Sequence, residues 1–161
     1  HGLMGKQNCY EHSVHVPLIF AGPGIPEGHE SDAFAYILDT YRTLCELLDI
    51  QVPDSVEGES LVPAMHDEDA TVRDALDFAY GGSQRAVKTR KHTLIEYAVR
   101  DRERQTQLFD LEADPWEINN LFDTEGADEI VASLREIMFA YRDDWEAGHT
   151  ERSARFWDRY V

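Results

Sequence analysis

Among the first residues, His1-Gly2-Leu3-Met4-Gly5-Lys6-Gln7-Asn8-Cys9-Tyr10-Glu11-His12-Ser13-Val14-His15-Val16-Pro17, the side chain with the clearest chemical use is Lys6. Its ammonium is a strong point-charge donor to an anion whose oxygens gain charge in a reaction. Taken alone, a lysine between Gly5 and Gln7 reads as a solvated loop residue. His12 and His15 lie close in sequence, but an extended strand points them to opposite faces, so they make no self-contained metal pair. Tyr10-Glu11 reads as structural, holding the lysine loop at the entry to a strand. Cys9 and Cys45 are too few for a disulfide framework and sit in no C-x-x-C or Cys/His spacing, so both read as ordinary reduced residues.

The elements that would position these groups begin from composition. At 161 residues the chain has the size of one ordinary domain, with two small subdomains also possible. Fifteen Lys and Arg against 32 Asp and Glu give a net charge of -17, which opposes binding to nucleic acid or to an anionic membrane face. No stretch approaches the roughly 18 consecutive apolar residues of a spanning helix.

Leu18-Ile19-Phe20-Ala21, closed by Gly22-Pro23-Gly24, predicts a strand buried on both faces, within a sheet flanked by helices. Ala33 to Leu38 is a second candidate strand. Tyr41, Leu44 and Leu48 fall at helical spacing, with Asp39 or Thr40 as cap and Pro53 as the stop. Ser60 is placed to cap a short helix from Leu61 to Met65. Beyond a charged seam, four strand-like pieces, Leu76–Tyr80, Arg85–Thr89, Thr93–Tyr97 and Gln107–Leu111, predict an antiparallel meander. Between Glu125 and Trp145, the positions Ile130, Leu134, Ile137, Met138, Tyr141 and Trp145 recur every three or four residues, which predicts a long helix covering one face of that sheet. Trp116, Trp145 and Trp157 read as packing residues, and Arg100-Asp101-Arg102-Glu103-Arg104 as a solvated hairpin tip.

With its His-Gly pair, Gly5-Lys6, Tyr10-Glu11 and Val14-His15-Val16-Pro17, the opening segment resembles the second signature region of the type I sulfatases of the alkaline-phosphatase superfamily. Further matches follow in order. Val16 to Ala21 with Gly22-Pro23-Gly24 resembles the family's Val-Pro-Leu-Ile strand and Pro-Gly turn. Asp39-Thr40-Tyr41-Arg42-Thr43-Leu44 resembles its Asp-x-x-Pro-Thr-Leu, departing at Arg42, and Gly58-Glu59-Ser60-Leu61 resembles its Gly-x-Ser-Leu. Leu108-Phe109-Asp110-Leu111, Asp114-Pro115-Trp116-Glu117 and Asn120-Leu121 resemble its late Leu-Tyr-Asp-Leu, Asp-Pro, Glu, Asn-Leu run.

The resemblance implies residues 1–66 as the C-terminal end of a sulfatase α/β catalytic domain, and 67–161 as an α+β subdomain with a four-stranded antiparallel sheet on a long C-terminal helix. It implies a sulfuric ester hydrolase with a calcium cofactor and a formylglycine nucleophile made from Cys or Ser in C/S-x-P-x-R. No Cys or Ser here begins that pattern, so the nucleophile is expected upstream and this chain alone is expected to be inactive. It gives Lys6 a catalytic, sulfate-contacting role, His15 a substrate-binding position where many relatives carry Arg, and His1 a place at the metal, although calcium prefers oxygen ligands. The implied substrate is a sulfated small molecule or carbohydrate, and exposed apolar edges predict self-association. Relatives are often exported, and the compartment stays open. The alternatives are a phosphodiesterase or phosphonate hydrolase of the same superfamily, and a non-catalytic binding module.

Overall fold

A computed structural model describes residues 6–146 and 151–160. Two compact units emerge, residues 17–74 as one, and the residues before them together with those from 75 onward as the other. The units therefore divide after 16 and after 74, where the sequence suggested one boundary at 66/67, because the segment bearing Cys9 and Tyr10 packs against the sheet.

The sheet is a meander of β1 (Ala75–Tyr80), β2 (Gln84–Thr89), β3 (His92–Tyr97) and β4 (Gln105–Asp110), in the order β1-β2-β3-β4 and antiparallel throughout. The four strands and the long helix follow the pattern expected from the sequence. Side chains alternate between the two faces of a strand, and the two faces here have different covers. Val87, Leu94 and Leu108 face a core built with Val131, Leu134 and Met138 of a long helix (Ala127–Tyr141) and with Phe156 and Tyr160 of a terminal helix (Glu151–Tyr160). Ala86, Ile95 and Phe109 face Cys9 and Tyr10. Two covered faces let a small sheet exclude water from its central strands, and Ala86, Val87, Leu94 and Ile95 are all fully buried.

In chain order the helices are α1 (Glu11–Val14), α2 (Asp39–Leu47), α3 (Val62–His66), α4 (Ala127–Tyr141) and α5 (Glu151–Tyr160), with a π-helical turn at Arg142–Glu146 after α4. The terminal helix was not anticipated. Its buried stripe of Ser153, Phe156 and Tyr160 is short and interleaved with charge, so its periodicity is weak beside that of α4. Arg85 is buried beneath it, its guanidinium 4.7 Å from the Phe156 ring centre. No helix among the described residues is long and apolar enough to cross a membrane.

Several local expectations are corrected. Residues 16–21 and 33–36 form no strand; Ile19 is 87% exposed. A strand needs a hydrogen-bonded neighbour, and the unit 17–74 contains no strand among the described residues to supply one. Tyr10-Glu11 opens a helical turn, α1, not a strand. Trp116 is 73% exposed and does not pack inside, whereas Trp145 meets Tyr141 edge to face at 6.3 Å and Trp157 packs on the core.

Asp39 is not a simple helix cap. Its fully buried carboxylate accepts hydrogen bonds from the Tyr36 N–H (2.6 Å), the Glu59 N–H (2.8 Å) and the Arg73 guanidinium. Burial alone would raise its pKa, but the bonds from Arg73, Glu59 and Tyr36 outweigh it and hold the carboxyl below the usual carboxylate range. The Gly-x-Ser-Leu segment serves the same unit. Gly58 has φ of 95°, and a Cβ there would collide with Leu38 Cδ1 and lie 3.0 Å from Asp39 Oδ1. The Ser60 hydroxyl accepts the Val62 N–H at 3.2 Å, and the Leu61 N–H donates to Thr43 Oγ1 at 2.9 Å.

Candidate functional site

Lys6 lies exposed in a turn at the start of the described residues, and the chain after it is fastened to the sheet residue by residue. The Gln84 amide on β2 donates to the Gln7 carbonyl at 3.4 Å. Asn8 Oδ1 accepts the Tyr10 N–H (3.1 Å) and the Ser13 hydroxyl (2.7 Å), so a buried asparagine organises the entry to α1 as caps do at helix starts. The Tyr10 hydroxyl donates to Gln107 Oε1 on β4 at 2.7 Å, and its ring meets Phe109 edge on at 5.9 Å. Glu11 pairs through its carboxylate with Lys88 on β2 and with His15 Nδ1 at 2.8 Å, while its backbone N–H donates to Glu117 Oε2 at 2.7 Å.

Burial governs the electrostatics on this face. Burial, with the negative charges of Asp77 and Glu117 added against the opposing Arg85, pushes the Cys9 thiol up to about 12, so it is no nucleophile at neutral pH. Burial likewise raises the Tyr97 phenol, helped by the neighbouring Tyr10. Glu117 is raised mainly by burial, against the opposing hydrogen bond from the Glu11 N–H and the charge of Lys88.

The late polar run that stood out in the sequence divides into backbone-supporting tasks. Asp110 Oδ1 accepts the N–H groups of Glu112 and Ala113 at 3.0 and 3.1 Å. Asp114 Oδ2 accepts those of Ile118 and Asn119, each at 2.7 Å. Asn120 Oδ1 accepts the Leu108 N–H at 2.9 Å and its amide donates to the Thr106 carbonyl at 3.2 Å, tying the loop back along β4. Glu117 is the one member that reaches across to the segment carrying Lys6.

Of the residues singled out from the sequence, Lys6 and His15 are solvent-facing, the His15 side chain 73% exposed and paired with Glu11, and His1 lies outside the described residues. The residues that sequence reasoning passed over are Gln84, Lys88, Gln107 and Glu117, which anchor the lysine segment from afar. Only the Asp-Pro-x-Glu spacing of Glu117 gave any sign of this. Arg104 leaves the solvated hairpin tip, where it donates to the Tyr160 carbonyl with its guanidinium 5.3 Å from that ring. Among the described residues no group of three or more His, Cys, Asp or Glu could hold a metal ion, and calcium, which takes six to eight oxygen ligands, does not fit them.

A family model described as N-sulphoglucosamine sulphohydrolase, C-terminal, matches residues 1–144. An arylsulfatase of Clostridium perfringens is 33% identical over 165 residues, covering 94% of this chain and 34% of its own length. A solved structure, a putative sulfatase from Bacteroides thetaiotaomicron, is 25% identical with a TM-score of 0.70, covering 92% of this chain and 35% of that one. A second, of a protein in complex with its substrate D-glucosamine-2-N,6-O-disulfate, has a TM-score of 0.67 at 20% identity, covering 80% of this chain and 28% of that one. The chain thus spans about a third of the length of the relatives it matches.

Proposed function

The chain belongs to the sulfatases, of which it forms a C-terminal portion, and from that premise we propose that it completes an enzyme hydrolysing sulfate esters, in which Lys6 donates to the sulfate oxygens. The observation that carries the reading is an exposed lysine on a backbone fixed to a rigid sheet by Gln84, Gln107, Lys88 and Glu117. A lysine that starts from a fixed backbone has fewer positions to search before it meets an oxygen on which charge develops. His15, exposed beyond Glu11, is in this reading a substrate contact, and His1 a neighbour of the metal. Calcium enters only through the family, and no step is assigned to it on these residues. The substrate class is a sulfated small molecule or carbohydrate, in keeping with the sulfated glucosamine bound by one protein of the same fold.

In this reading the nucleophile is a formylglycine upstream of these residues, since no C/S-x-P-x-R occurs among the 161, and the chain by itself turns over no sulfate ester. In the family reading residues 1–66 belong with the α/β catalytic domain and 67–161 with the subdomain. The surface of the unit 17–74 supports only its being part of something larger. Ile37, Tyr41, Leu44, Leu48 and Ile50 are each about half exposed or more, while the polar Asp39 and Thr43 on α2 are fully buried. A helix that buries polar residues and presents an apolar stripe is built to be covered. The chain alone is therefore expected to self-associate through that stripe, and a monomer by sedimentation at micromolar concentration would contradict it.

The test of function is turnover by the full-length protein carrying these residues, with 4-nitrophenyl sulfate and glucosamine 6-sulfate as probes and phosphate diesters and phosphonate esters as controls. Lys6→Ala should lower kcat by about 10²–10³, the usual loss for one oxyanion donor. Sulfate ester turnover that survives this substitution would remove Lys6 from the site. Turnover of phosphonate esters alone would favour the phosphonate hydrolase alternative, and none of any ester the binding module.

A further inference from the structure

We propose that Glu117 is a positioning residue for Lys6, holding the lysine-bearing backbone through the Glu11 N–H; this rests on the sulfatase reading for what Lys6 does, but not for what Glu117 holds. Glu117 lies in the loop between β4 and α4 with φ of 55°, a left-handed conformation that a residue other than glycine adopts only when its surroundings impose it. Those surroundings are present. Asp114 Oδ2 accepts both following N–H groups, from Ile118 and Asn119, and the Glu117 N–H donates to the Asp114 carbonyl at 3.0 Å. The turn sends Glu117 inward while its neighbours Trp116 and Ile118 stay 73% and 71% exposed.

Once inside, Glu117 is 1% exposed, and among the described residues its carboxylate has one hydrogen bond, from Glu11 N–H to Oε2 at 2.7 Å, with none to Oε1. The Thr93 hydroxyl lies near enough to favour the charged form without making a hydrogen bond of normal geometry. A core residue chosen for stability alone would not be a half-satisfied acid, since an apolar or amide side chain fills such a place at less cost. The group it holds is the first N–H of α1, for which a helix offers no acceptor of its own. Glu11 in turn pairs with Lys88, so the two acidic residues and the lysine lock the segment to β2 and to the β4–α4 loop at one point. Gln84 at the Gln7 carbonyl and Gln107 at the Tyr10 hydroxyl supply the other two anchors. Lys6 is the next residue outward, so the sheet fixes the backbone from which its side chain starts. The sheet thereby becomes part of the sulfate site without touching substrate.

The test compares Glu117→Ala and Glu117→Gln with the unaltered full-length protein by amide hydrogen exchange of residues 7–11 and of strands β2 and β3, together with kcat and KM on the sulfate ester probes. Glu117→Ala should speed exchange of residues 7–11 by about tenfold, the worth of one lost hydrogen bond, with the strands unchanged. It should also lower kcat with little change in KM, and Glu117→Gln, which keeps an acceptor, should restore both. If the alanine variant does not fold, Glu117→Asp, which withdraws the acceptor by one methylene, is read the same way. Unchanged exchange at residues 7–11, or kcat unchanged in a protein that Lys6→Ala disables, would overturn the proposal. Faster exchange in a protein whose turnover does not depend on Lys6 would instead sustain Glu117 as the holder of the segment and remove the sulfatase role of Lys6.

Discussion

The two terminal nitrogens of the Arg73 guanidinium lie 2.6 and 2.8 Å from the two carboxylate oxygens of Asp39, a bidentate pair in which the carboxylate is wholly buried and the guanidinium 12% exposed. It joins the entry of α2 to the end of the unit 17–74, and the same guanidinium donates to the Phe34 carbonyl at 3.0 Å. Removing one member of such a pair strands the other charge without water. Arg73→Met should therefore destabilise the protein by about 3–5 kcal/mol, measured by urea unfolding. A loss under about 1 kcal/mol, the worth of a surface pair, would mean that solvent reaches Asp39.

Two buried carboxyls should give opposite pH signatures. Asp39 has a lowered folded pKa, so its contribution is present above its unfolded value near 3.9 and is lost as the pH falls through the folded one. Glu117 is raised, so its contribution is full below the unfolded value near 4.3 and is lost as the pH rises through the folded one. The stability of Glu117→Gln relative to the unaltered protein should thus improve between pH 4 and pH 7. A difference independent of pH would show that Glu117 keeps an ordinary pKa.

Gly58 permits no side chain. Its left-handed backbone alone makes Gly58→Ala cost about 1–3 kcal/mol, and the added Cβ would also strike Leu38 beside the buried carboxylate of Asp39. Thermal unfolding of this variant checks the claim, and a melting temperature within a degree of the unaltered protein would contradict the close approach.

Both thiols should be silent in the native protein. Cys9 is 2% exposed with its pKa pushed up to about 12, and Cys45 is 6% exposed. At pH 8, Ellman's reagent should find no fast-reacting thiol until denaturant is added, and then two. One fast thiol that Cys9→Ser abolishes would mean that residues 8–14 open readily from the sheet, and one that survives Cys9→Ser would place the opening at Cys45 on α2.

Long-range order was legible where one periodicity ran uninterrupted, as in the meander and α4, whose apolar spacing needs no partner outside the unit to be read. It was misread where an apolar run lacked its partner. Leu18 to Ala21 has the composition of a buried strand, yet composition cannot supply the neighbouring strand that would bond to it. Lys6 was visible through its glycine neighbour and its resemblance. Its anchors were not, because Gln84, Gln107 and Glu117 lie about 80 to 110 positions away and are ordinary polar residues until the sheet folds. Asp39 was visible as a helix-start acid, but its partner Arg73 is separated by 34 residues and announced by no motif.

The terminal helix α5 is the last element the sequence concealed, and its removal should cost more through packing than through polar bonds. Phe156 is fully buried, stacked on Tyr160 with centroids 5.2 Å apart and lying beneath the Arg85 guanidinium. Phe156→Ala leaves a cavity and should cost about 3–5 kcal/mol. The Tyr160 hydroxyl donates at 2.8 Å to Glu96 Oε1, a buried carboxylate that also accepts from Arg135 Nε at 2.7 Å and, through Oε2, from the Thr106 hydroxyl at 2.8 Å. Tyr160→Phe removes one donor of three and keeps the ring, so it should cost about 1–3 kcal/mol. Urea unfolding of both variants ranks the two effects. A larger loss for Tyr160→Phe would mean that the Glu96 network, rather than the aromatic stack, holds α5 to the sheet.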